Sequence, residues 1–159
     1  AMDVNLSDSQ APAPQEGLQA ALENLDERTT TILLIDDNED AALLIRRLLE
    51  AHKNYRIHIA QDGKAGLAQA KRLLPDLIVT DLMMPELDGF SLVEQLRDDP
   101  RTHEIPIVVV SAKDITPEER KRLDGHIEAL FQKGSMQPRK FVDQMIRVIE
   151  DKGTEKPSL

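Results

Sequence analysis

The chain has 159 residues, a net charge of −9 and no cysteine. This length fits one domain with flanking segments, and the absence of cysteine excludes disulfides and cysteine-ligated metals. The acidic balance argues against nonspecific binding to nucleic acid. The sequence contains neither a signal peptide nor an apolar run of the roughly 20 residues that a membrane span needs. We therefore expect a cytoplasmic protein that does not insert into a membrane.

The first 29 residues are predicted to lie outside the main domain. Ala1-Met2 is typical of a tag remnant, and the composition to about Gln15 is that of a disordered tail. A short amphipathic linker helix is predicted next, because apolar residues recur at helical spacing, at Leu18, Ala21, Leu22 and Leu25. We expect the folded domain over residues 30–150 and a tail over residues 151–159.

Five strand-then-helix units follow from residue 30. The strands are predicted over residues 31–35, 55–60, 77–80, 107–110 and 129–132. Three of them are continuous apolar runs, which are typical of strands buried on both faces of a parallel sheet. The alternation therefore predicts an α/β fold in which helices cover both faces of such a sheet.

Apolar spacing predicts a helix after each strand. The first helix, over about 40–50, should turn Leu43 away from the core and bury one face, formed by Ala41, Leu44, Ile45, Leu48 and Leu49. The fourth helix has a strong start signal. Thr116 would be its cap, Pro117 its first residue and Glu119 the second member of a capping box.

Polar residues end four of the five strands, at the edge where open parallel sheets bind ligands. They are Asp36 and Asp37 after the first strand, Asp81 after the third, Ser111 after the fourth and Lys133 after the fifth. Two carboxylates ~4 Å apart repel by about 4 kcal/mol at an effective dielectric near 20, so a cation is needed nearby. Oxygen ligands favour a hard cation, and Mg²⁺ suits a site that also admits phosphate. Taken alone, Asp36 and Asp37 could instead cap the next helix.

Asp81 is the candidate nucleophile of this edge. A carboxylate can attack phosphorus when a metal ion and positive side chains offset the charge of the phosphoryl group. Lys133 would supply such a charge, and Ser111 could donate a hydrogen bond to a phosphoryl oxygen. Each residue alone has a simpler interpretation, as a turn aspartate, a surface lysine or a loop serine. Their combination favours the chemical one.

Four segments in this order resemble the signature segments of response-regulator receiver domains: LLIDDNED, LIVTDLMMPELDGF, IPIVVVSAK and LFQKG. The resemblance covers about residues 30–150 and implies a doubly wound, five-stranded parallel sheet in the flavodoxin-like order 2-1-3-4-5. It also implies a receiver module of a two-component phosphorelay, which accepts a phosphoryl group from phosphohistidine with Mg²⁺ and then switches conformation. Such a module is a phosphoacceptor signalling domain rather than an enzyme.

The resemblance assigns the metal site and the acceptor. Asp81 would be the phosphoacceptor and also a metal ligand. Asp37 would bind Mg²⁺ directly, and Asp36 mainly through water. The backbone carbonyl of Met83 would complete the protein's contacts with the ion.

The resemblance also assigns the phosphate contacts and the loop after the acceptor. Ser111 would be the switch hydroxyl, with the Ala112 backbone beside it, and Lys133 would pair with the phosphoryl group. Pro85 and Gly89 match the turn that shapes the loop after the acceptor.

Two positions depart from the family pattern. Where the family usually has an aromatic switch residue, three positions before the lysine, this chain has Leu130, with Phe131 next to it. Where the family usually has proline after the lysine, this chain has Gly134. We therefore expect a smaller rearrangement near the fifth strand on phosphorylation.

Three other functions fit parts of the pattern. A Mg²⁺-dependent phosphohydrolase that forms an aspartyl phosphate would carry Asp-x-Asp after the first strand, whereas Asp36 and Asp37 are adjacent. A phosphorylation-independent binding module on the same fold would not need the full set of acids. A flavin-binding protein would need a phosphate loop rich in Ser, Thr and Gly where this chain has DDNED.

The implied partner is a histidine kinase or a histidine phosphotransfer protein, which would dock against the first helix near Leu43. The stretch SAKDITPEERKRLDGHIEALFQKGS resembles receivers appended to hybrid histidine kinases. Both a fragment of such a kinase and a free-standing regulator remain open at this point. The sequence does not identify the downstream partner.

Overall fold

The structure, a computed structural model, describes residues 29–155. Within this range there are five strands, β1 (Thr31–Ile35), β2 (Arg56–Ala60), β3 (Leu77–Thr80), β4 (Ile107–Ser111) and β5 (Ala129–Gln132). Over the same residues five helices alternate with them, α1 (Glu39–His52), α2 (Gly63–Leu73), α3 (Gly89–Asp98), α4 (Pro117–Leu123) and α5 (Pro138–Glu155). A 3₁₀ turn, Lys133–Ser135, follows β5. The predicted linker helix and amino-terminal tail lie outside the described residues.

The strands form one parallel sheet in the order β2-β1-β3-β4-β5. This confirms the predicted order. The inner strands β1, β3 and β4 are buried almost throughout, whereas β2 and β5 at the edges are partly exposed. Ile35 at the end of β1 lies beside both Ala60 of β2 and Thr80 of β3. The residues that follow β1 and β3 therefore emerge side by side.

Helices cover both faces of the sheet, as predicted. On one face, buried residues of α2, α3 and α4 pack with Leu33, Ile78 and Val109. On the other face, buried residues of α1 and α5 pack with Ile32 and Val79. Alternate residues of one strand thus serve opposite faces, which explains the continuous apolar runs of the inner strands.

No helix within residues 29–155 combines the length and the apolar character that crossing a bilayer requires.

Side chains cap the helices that begin at the carboxyl edge of the sheet. Asn38, Asp62 and Asp88 each accept a hydrogen bond from a backbone N–H in the first turn of α1, α2 and α3. The predicted capping box of α4 is confirmed, because Thr116 and Glu119 each accept a hydrogen bond from the other's backbone N–H. These caps satisfy donors that the helices leave unpaired and fix where each helix begins.

The predicted core face of α1 is wrong at Leu44, which is 54% exposed. Leu43, predicted to face away from the core, is partly buried but belongs to neither core cluster. The buried residues of the helix are Ala42, Ile45 and Leu49. Residues 41–45 are all apolar, so their spacing does not determine the helical phase. Packing decides it, and the phase adopted buries Ala42 completely.

Arg97 of α3 joins three segments on the side of the molecule near α4. Its guanidinium donates hydrogen bonds to backbone carbonyls of the α3–β4 loop and of the α4–β5 turn, at 2.6–3.5 Å, those of Thr102, His103, Ile105 and His126. A planar group with five N–H donors suits several carbonyls converging from different directions.

Candidate functional site

Asp36 and Asp81 are fixed by the backbone of the inner strands. The N–H of Asp81 donates to the carbonyl of Ile35 at 2.9 Å, and the N–H of Asp36 donates to the carbonyl of Ala60 at 3.0 Å. The parallel ladder thus continues one residue beyond each strand. Both acids are buried, with exposures of 4% and 7%. The fold itself therefore holds two carboxylates next to each other.

Asp37 completes an acidic cluster with these two residues. Asp36, Asp37 and Asp81 each offer a carboxylate oxygen, and the three oxygens lie within 4.8 Å of one another. Oxygens bound to one Mg²⁺ ion are at most about 4.2 Å apart, because each lies about 2.1 Å from the ion. The upper limit on the separations in the cluster is close to this value. The cluster is an all-oxygen donor set of the kind that a hard cation prefers, so the residues present fit Mg²⁺.

Lys133 reaches the cluster from the end of β5. Its Nζ lies 2.9 Å from Oδ2 of Asp36 and 3.6 Å from Oδ2 of Asp81. Burial acts to lower the pKa of Lys133, but the hydrogen bond to Asp36 and the charges of Asp36 and Asp81 outweigh it, so the pKa is raised. The lysine is therefore cationic at neutral pH. One positive charge among three carboxylates leaves an excess of negative charge, which favours a further cation.

Both oxygens of Asp36 already have donors. Oδ1 accepts the backbone N–H of Asn38 at 2.9 Å, and Oδ2 accepts Nζ of Lys133. The carboxylate of Asp37 is exposed. Asp37 is accordingly better placed than Asp36 for direct coordination, in keeping with the roles that the resemblance implies. Those roles remain predictions.

The carboxylate of Asp81 is oriented by the loop that follows it. Its Oδ1 accepts the N–H of Leu82 at 2.7 Å and lies 3.4 Å from the N–H of Met83. Burial raises the pKa of Asp81 above its ordinary value, the charge of Lys133 opposes this shift, and the charge of Asp36 adds to it. Ionisation is thus less favourable than for a free aspartate, and added positive charge would favour it.

Ser111 ends β4 at the same edge and is buried. Its Oγ accepts the backbone N–H of Lys113 at 3.0 Å, so the contact described for the hydroxyl lies within its own loop. Ala112 beside it is exposed. Both residues lie where the sequence predicts them, and their contact with a phosphoryl group remains a prediction.

Gly89 allows the loop after Asp81 to close on itself. A Cβ atom on Gly89 would lie 2.3 Å from the Asp81 carbonyl oxygen and 2.6 Å from Cα of Leu82, closer than real atoms approach. The N–H of Gly89 donates to the Leu82 carbonyl at 2.9 Å. Pro85 lies in the exposed part of the loop. The loop-shaping role predicted for Gly89 thus has a steric basis.

Leu130 and Phe131 point to opposite faces of the sheet. Leu130 packs against the cluster that contains Leu123 of α4. Phe131 packs on the other face, where its ring meets that of Phe141 edge-on at 5.3 Å. Phe131 therefore does not replace an aromatic residue on the α4 side. A cavity of about 110 Å³ between α4 and β5 borders Leu130 instead.

Two polar contacts near the site were not predicted from the sequence. Gln132 donates a hydrogen bond to Asp114, which joins the end of β5 to the β4–α4 loop. In the same loop, Nζ of Lys113 lies 2.8 Å from Glu119, the second residue of the α4 capping box. Side-chain contacts between a loop and a neighbouring strand or helix leave no spacing signal in the sequence. The hydrogen bond from the Asn38 N–H to Asp36 could have been expected, because Asp side chains often accept the backbone N–H two residues further on.

Comparison with known proteins places this geometry in context. The family model for the response regulator receiver domain matches residues 32–145. The response regulator PleD of Caulobacter vibrioides is 48% identical over 71 residues, which are 43% of this chain and 16% of PleD. The sensor histidine kinase TmoS of Ectopseudomonas mendocina is 35% identical over 120 residues, which are 76% of this chain and 12% of TmoS. The chain thus spans a small part of the length of these relatives.

A solved structure has the same fold. The receiver domain of a sensor histidine kinase from Pseudomonas aeruginosa aligns with a TM-score of 0.68 at 24% identity, covering 77% of this chain and 98% of that one. That protein carries a magnesium ion coordinated in its active-site cleft. At this level of identity the likeness is one of fold.

Proposed function

Because the chain belongs to the response regulator receiver domain family, we propose that it accepts a phosphoryl group on Asp81 and signals by changing conformation. Residues 30–150 would form the receiver unit. The observation that carries the proposal is the convergence of two buried carboxylates and Lys133 at one edge of the sheet, within 2.9 Å and 3.6 Å of the lysine nitrogen. Receiver domains are signalling modules that work with histidine kinases or phosphotransfer proteins, and the proposal extends this to a specific acceptor.

The transfer is a substitution at phosphorus. A carboxylate oxygen of Asp81 forms a bond to the phosphorus while the bond from phosphorus to the donor's histidine nitrogen breaks. The imidazole leaves with the electron pair of that bond and takes up a proton. The protein contributes by holding the attacking carboxylate in place, because the N–H groups of Leu82 and Met83 hold Oδ1 of Asp81.

A metal ion would complete the site. Asp36, Asp37, Asp81 and the carbonyl of Met83 would hold Mg²⁺, which when bound offsets the negative charge of the phosphoryl oxygens. Lys133 would exchange its contact with Asp81 for one with a phosphoryl oxygen. The excess negative charge of the acidic cluster supports this assignment.

The conformational change would begin with the charge that phosphorylation adds to Asp81. A phosphoryl group adds about −1.5 to −2 charges and three acceptor oxygens. Ser111, the Ala112 backbone and Lys133 are the groups proposed to engage them. Because Ser111 and Lys133 begin the loops after β4 and β5, those loops would move.

Mass spectrometry of the intact protein tests the acceptor. Incubation with acetyl phosphate and Mg²⁺ should add one phosphoryl group to the wild type and none to Asp81→Asn. Asp76→Asn, an acid before β3 rather than after it, serves as a control and should still be labelled. An adduct that persists in Asp81→Asn would refute the assignment. Turnover of added phosphate esters would instead favour the phosphohydrolase alternative.

The donor is proposed to be a phosphohistidine protein that docks against α1. Leu44 of α1 is 54% exposed, and Leu74 at the end of α2 is 52% exposed. Leu44→Glu should slow transfer from a phosphohistidine protein that labels the wild type, while labelling by acetyl phosphate stays unchanged. Leu74→Glu is the matched control. Equal transfer to both variants would show that this docking face is wrong.

The cellular setting is also part of the proposal. We place the module in the cytoplasm, where the phosphohistidine donors of two-component systems act. TmoS, a sensor histidine kinase, aligns over 76% of this chain, which supports a hybrid kinase as one setting. PleD, a response regulator, supports the other.

A further inference from the structure

The start of α2 contacts the loop that follows Asp81. Gly63, the first residue of α2, is buried, and a Cβ atom built on it would lie 2.2 Å from the carbonyl oxygen of Leu87 and 3.0 Å from Cβ of Leu87. Contacts this short do not occur in real structures. The backbone of Leu87 must therefore move by about 1 Å to admit even a methyl group at position 63. Position 63 therefore requires glycine, because the backbones of residues 63 and 87 lie so close together.

The loop itself has little freedom to absorb such a movement. Its base is closed at Gly89, whose N–H donates to the Leu82 carbonyl and whose missing Cβ leaves room for the Asp81 carbonyl. Glu86 bends the loop with a positive φ of 66°. A displacement of Leu87 would therefore also displace other residues of the short closed loop between Leu82 and Gly89.

The segment carries the groups that orient the acceptor. The N–H groups of Leu82 and Met83 lie 2.7 and 3.4 Å from Oδ1 of Asp81. Met83 is also the residue whose carbonyl, in the next peptide unit, the proposed function assigns to the metal. Resting on that function, we propose that Gly63 is a positioning residue for phosphoryl acceptance, because it lets α2 support the loop that aims these peptides at Asp81.

The substitution Gly63→Ala tests this role. A misplacement of about 1 Å at a reacting group can slow a reaction by about a hundredfold, and a part of that shift should reach Asp81. We expect phosphorylation by acetyl phosphate to be at least about tenfold slower, and Mg²⁺ to bind more weakly. In the metal-free protein, the backbone amide signals of Leu82 and Met83 should shift in the NMR spectrum.

Gly125→Ala is the matched control. It makes the same chemical change at a glycine with a φ of 79° and no atoms within 4 Å of the added methyl group. It should destabilise the fold through backbone strain but leave the rate, the Mg²⁺ affinity and the two amide signals unchanged. Equal effects of the two variants, after matching for stability, would overturn the proposal, as would unchanged amide signals in Gly63→Ala.

If Gly63→Ala does not fold, Leu87→Gly probes the same contact from the loop. It keeps the approach of the two backbones and loosens the residue that α2 supports, so phosphorylation should again slow. An unchanged rate and unchanged Met83 amide signal would overturn the proposal. Wild type and Asp81→Asn are measured in parallel. If the wild type takes no phosphoryl group, the proposed function fails, while the amide signals of the metal-free protein still decide the role of Gly63.

Discussion

The fold holds the two halves of the site to different degrees. One half is the acid pair Asp36 and Asp81, and the other is Lys133. Asp36 and Asp81 follow inner strands and keep their backbone hydrogen bonds to neighbouring strands. Lys133 follows β5, a partly exposed edge strand, and begins a 3₁₀ turn without a side-chain cap. The next residue, Gly134, has open space around it. The carboxylates are thus anchored, whereas the cation is held mainly by its own ion pairs.

This difference separates the proposed chemistry from the proposed response. The anchored half contains Asp36 and Asp81, two of the acids that the resemblance assigns to the metal, and the looser half contains both departures from the family pattern, at Leu130 and Gly134. We infer that acceptance of the phosphoryl group depends on the rigid half and that the size of the conformational change depends on the loose one. Four measurements test this division.

Removal of the lysine should have the largest effect. In Lys133→Met, the carboxylate of Asp36 loses a charge-assisted hydrogen bond while it stays buried, so the free energy of unfolding should fall by about 2 kcal/mol without Mg²⁺. Saturating Mg²⁺ should recover part of this loss, because the ion binds only the folded protein. Urea titration with and without Mg²⁺ measures both quantities.

Lys71→Met provides the control for this variant. Lys71 forms an ion pair with Asp99 at 3.7 Å, and its own side chain is more exposed than that of Lys133. Its loss should cost at most about 0.5 kcal/mol, and Mg²⁺ should not change that value. If both variants lose the same small amount, Lys133 does not neutralise the anchored half.

Asp37→Asn should weaken Mg²⁺ binding by about tenfold, which corresponds to 1.4 kcal/mol. The reason is the loss of one ligand charge from the cluster. Asp40→Asn changes the net charge equally at an exposed position of α1 and should leave the affinity within a factor of about two. Calorimetric titration compares the two variants. Equal affinities would mean that Asp37 serves only the start of α1.

Ionisation of Asp81 should lower the stability of the metal-free protein. Its folded pKa is raised above the unfolded value of 3.8, so the folded state binds more protons in the window between the two values. The free energy of unfolding of the wild type should therefore fall relative to Asp81→Asn as pH rises through that window. A difference that stays constant, or that moves the other way, would contradict the burial of this carboxylate.

The pH dependence of stability expected from Asp99 has the opposite sign, and it serves as an internal comparison. Hydrogen bonds from Arg101 lower its pKa to about 2. Its contribution to stability is present above the unfolded value of 3.8 and is lost as pH falls toward 2. Asp99→Asn should therefore lose stability relative to the wild type at neutral pH, and the difference should shrink in acid.

An aromatic residue at position 130 should produce the smallest effect. In the wild type, binding of a beryllofluoride mimic of the phosphoryl group should shift amide signals around Ser111 and Lys133 more than those of β5 and α4. Leu130→Tyr should extend the shifts into α4, because the ring would lie against the cavity that borders this position. Large shifts throughout residues 130–141 in the wild type would show that the rearrangement does not need an aromatic residue.

The sequence contained enough information to predict the sheet and the edge where the acids meet. The inner strands are apolar except for Thr31 at the start of β1 and the last residues of β3 and β4. The carboxyl ends of parallel strands share one edge, so Asp36 and Asp81 had to lie close together. The strand order came from the resemblance, since alternation alone admits several orders.

What could not be predicted depended on contacts between distant segments. The phase of α1 was ambiguous because five consecutive apolar residues fit either face, and packing selected Ala42 over Leu44. The approach of Gly63 to Leu87 joins the start of α2 to the loop after β3, and these segments share no sequence pattern. The face of the sheet on which Phe131 packs could be known only from the register of β5. This register places Phe131 opposite Val110 and away from α4.

Arg97 shows how one side chain can restrict the substitutions that a position accepts. Its guanidinium is not easily replaced, because it donates to carbonyls of both the loop before β4 and the turn before β5. Lysine would preserve the charge but has no planar fork, so it could not serve the carbonyls of His103, Ile105 and His126 in their present directions. An exchange that is usually regarded as conservative would therefore loosen the turn before β5.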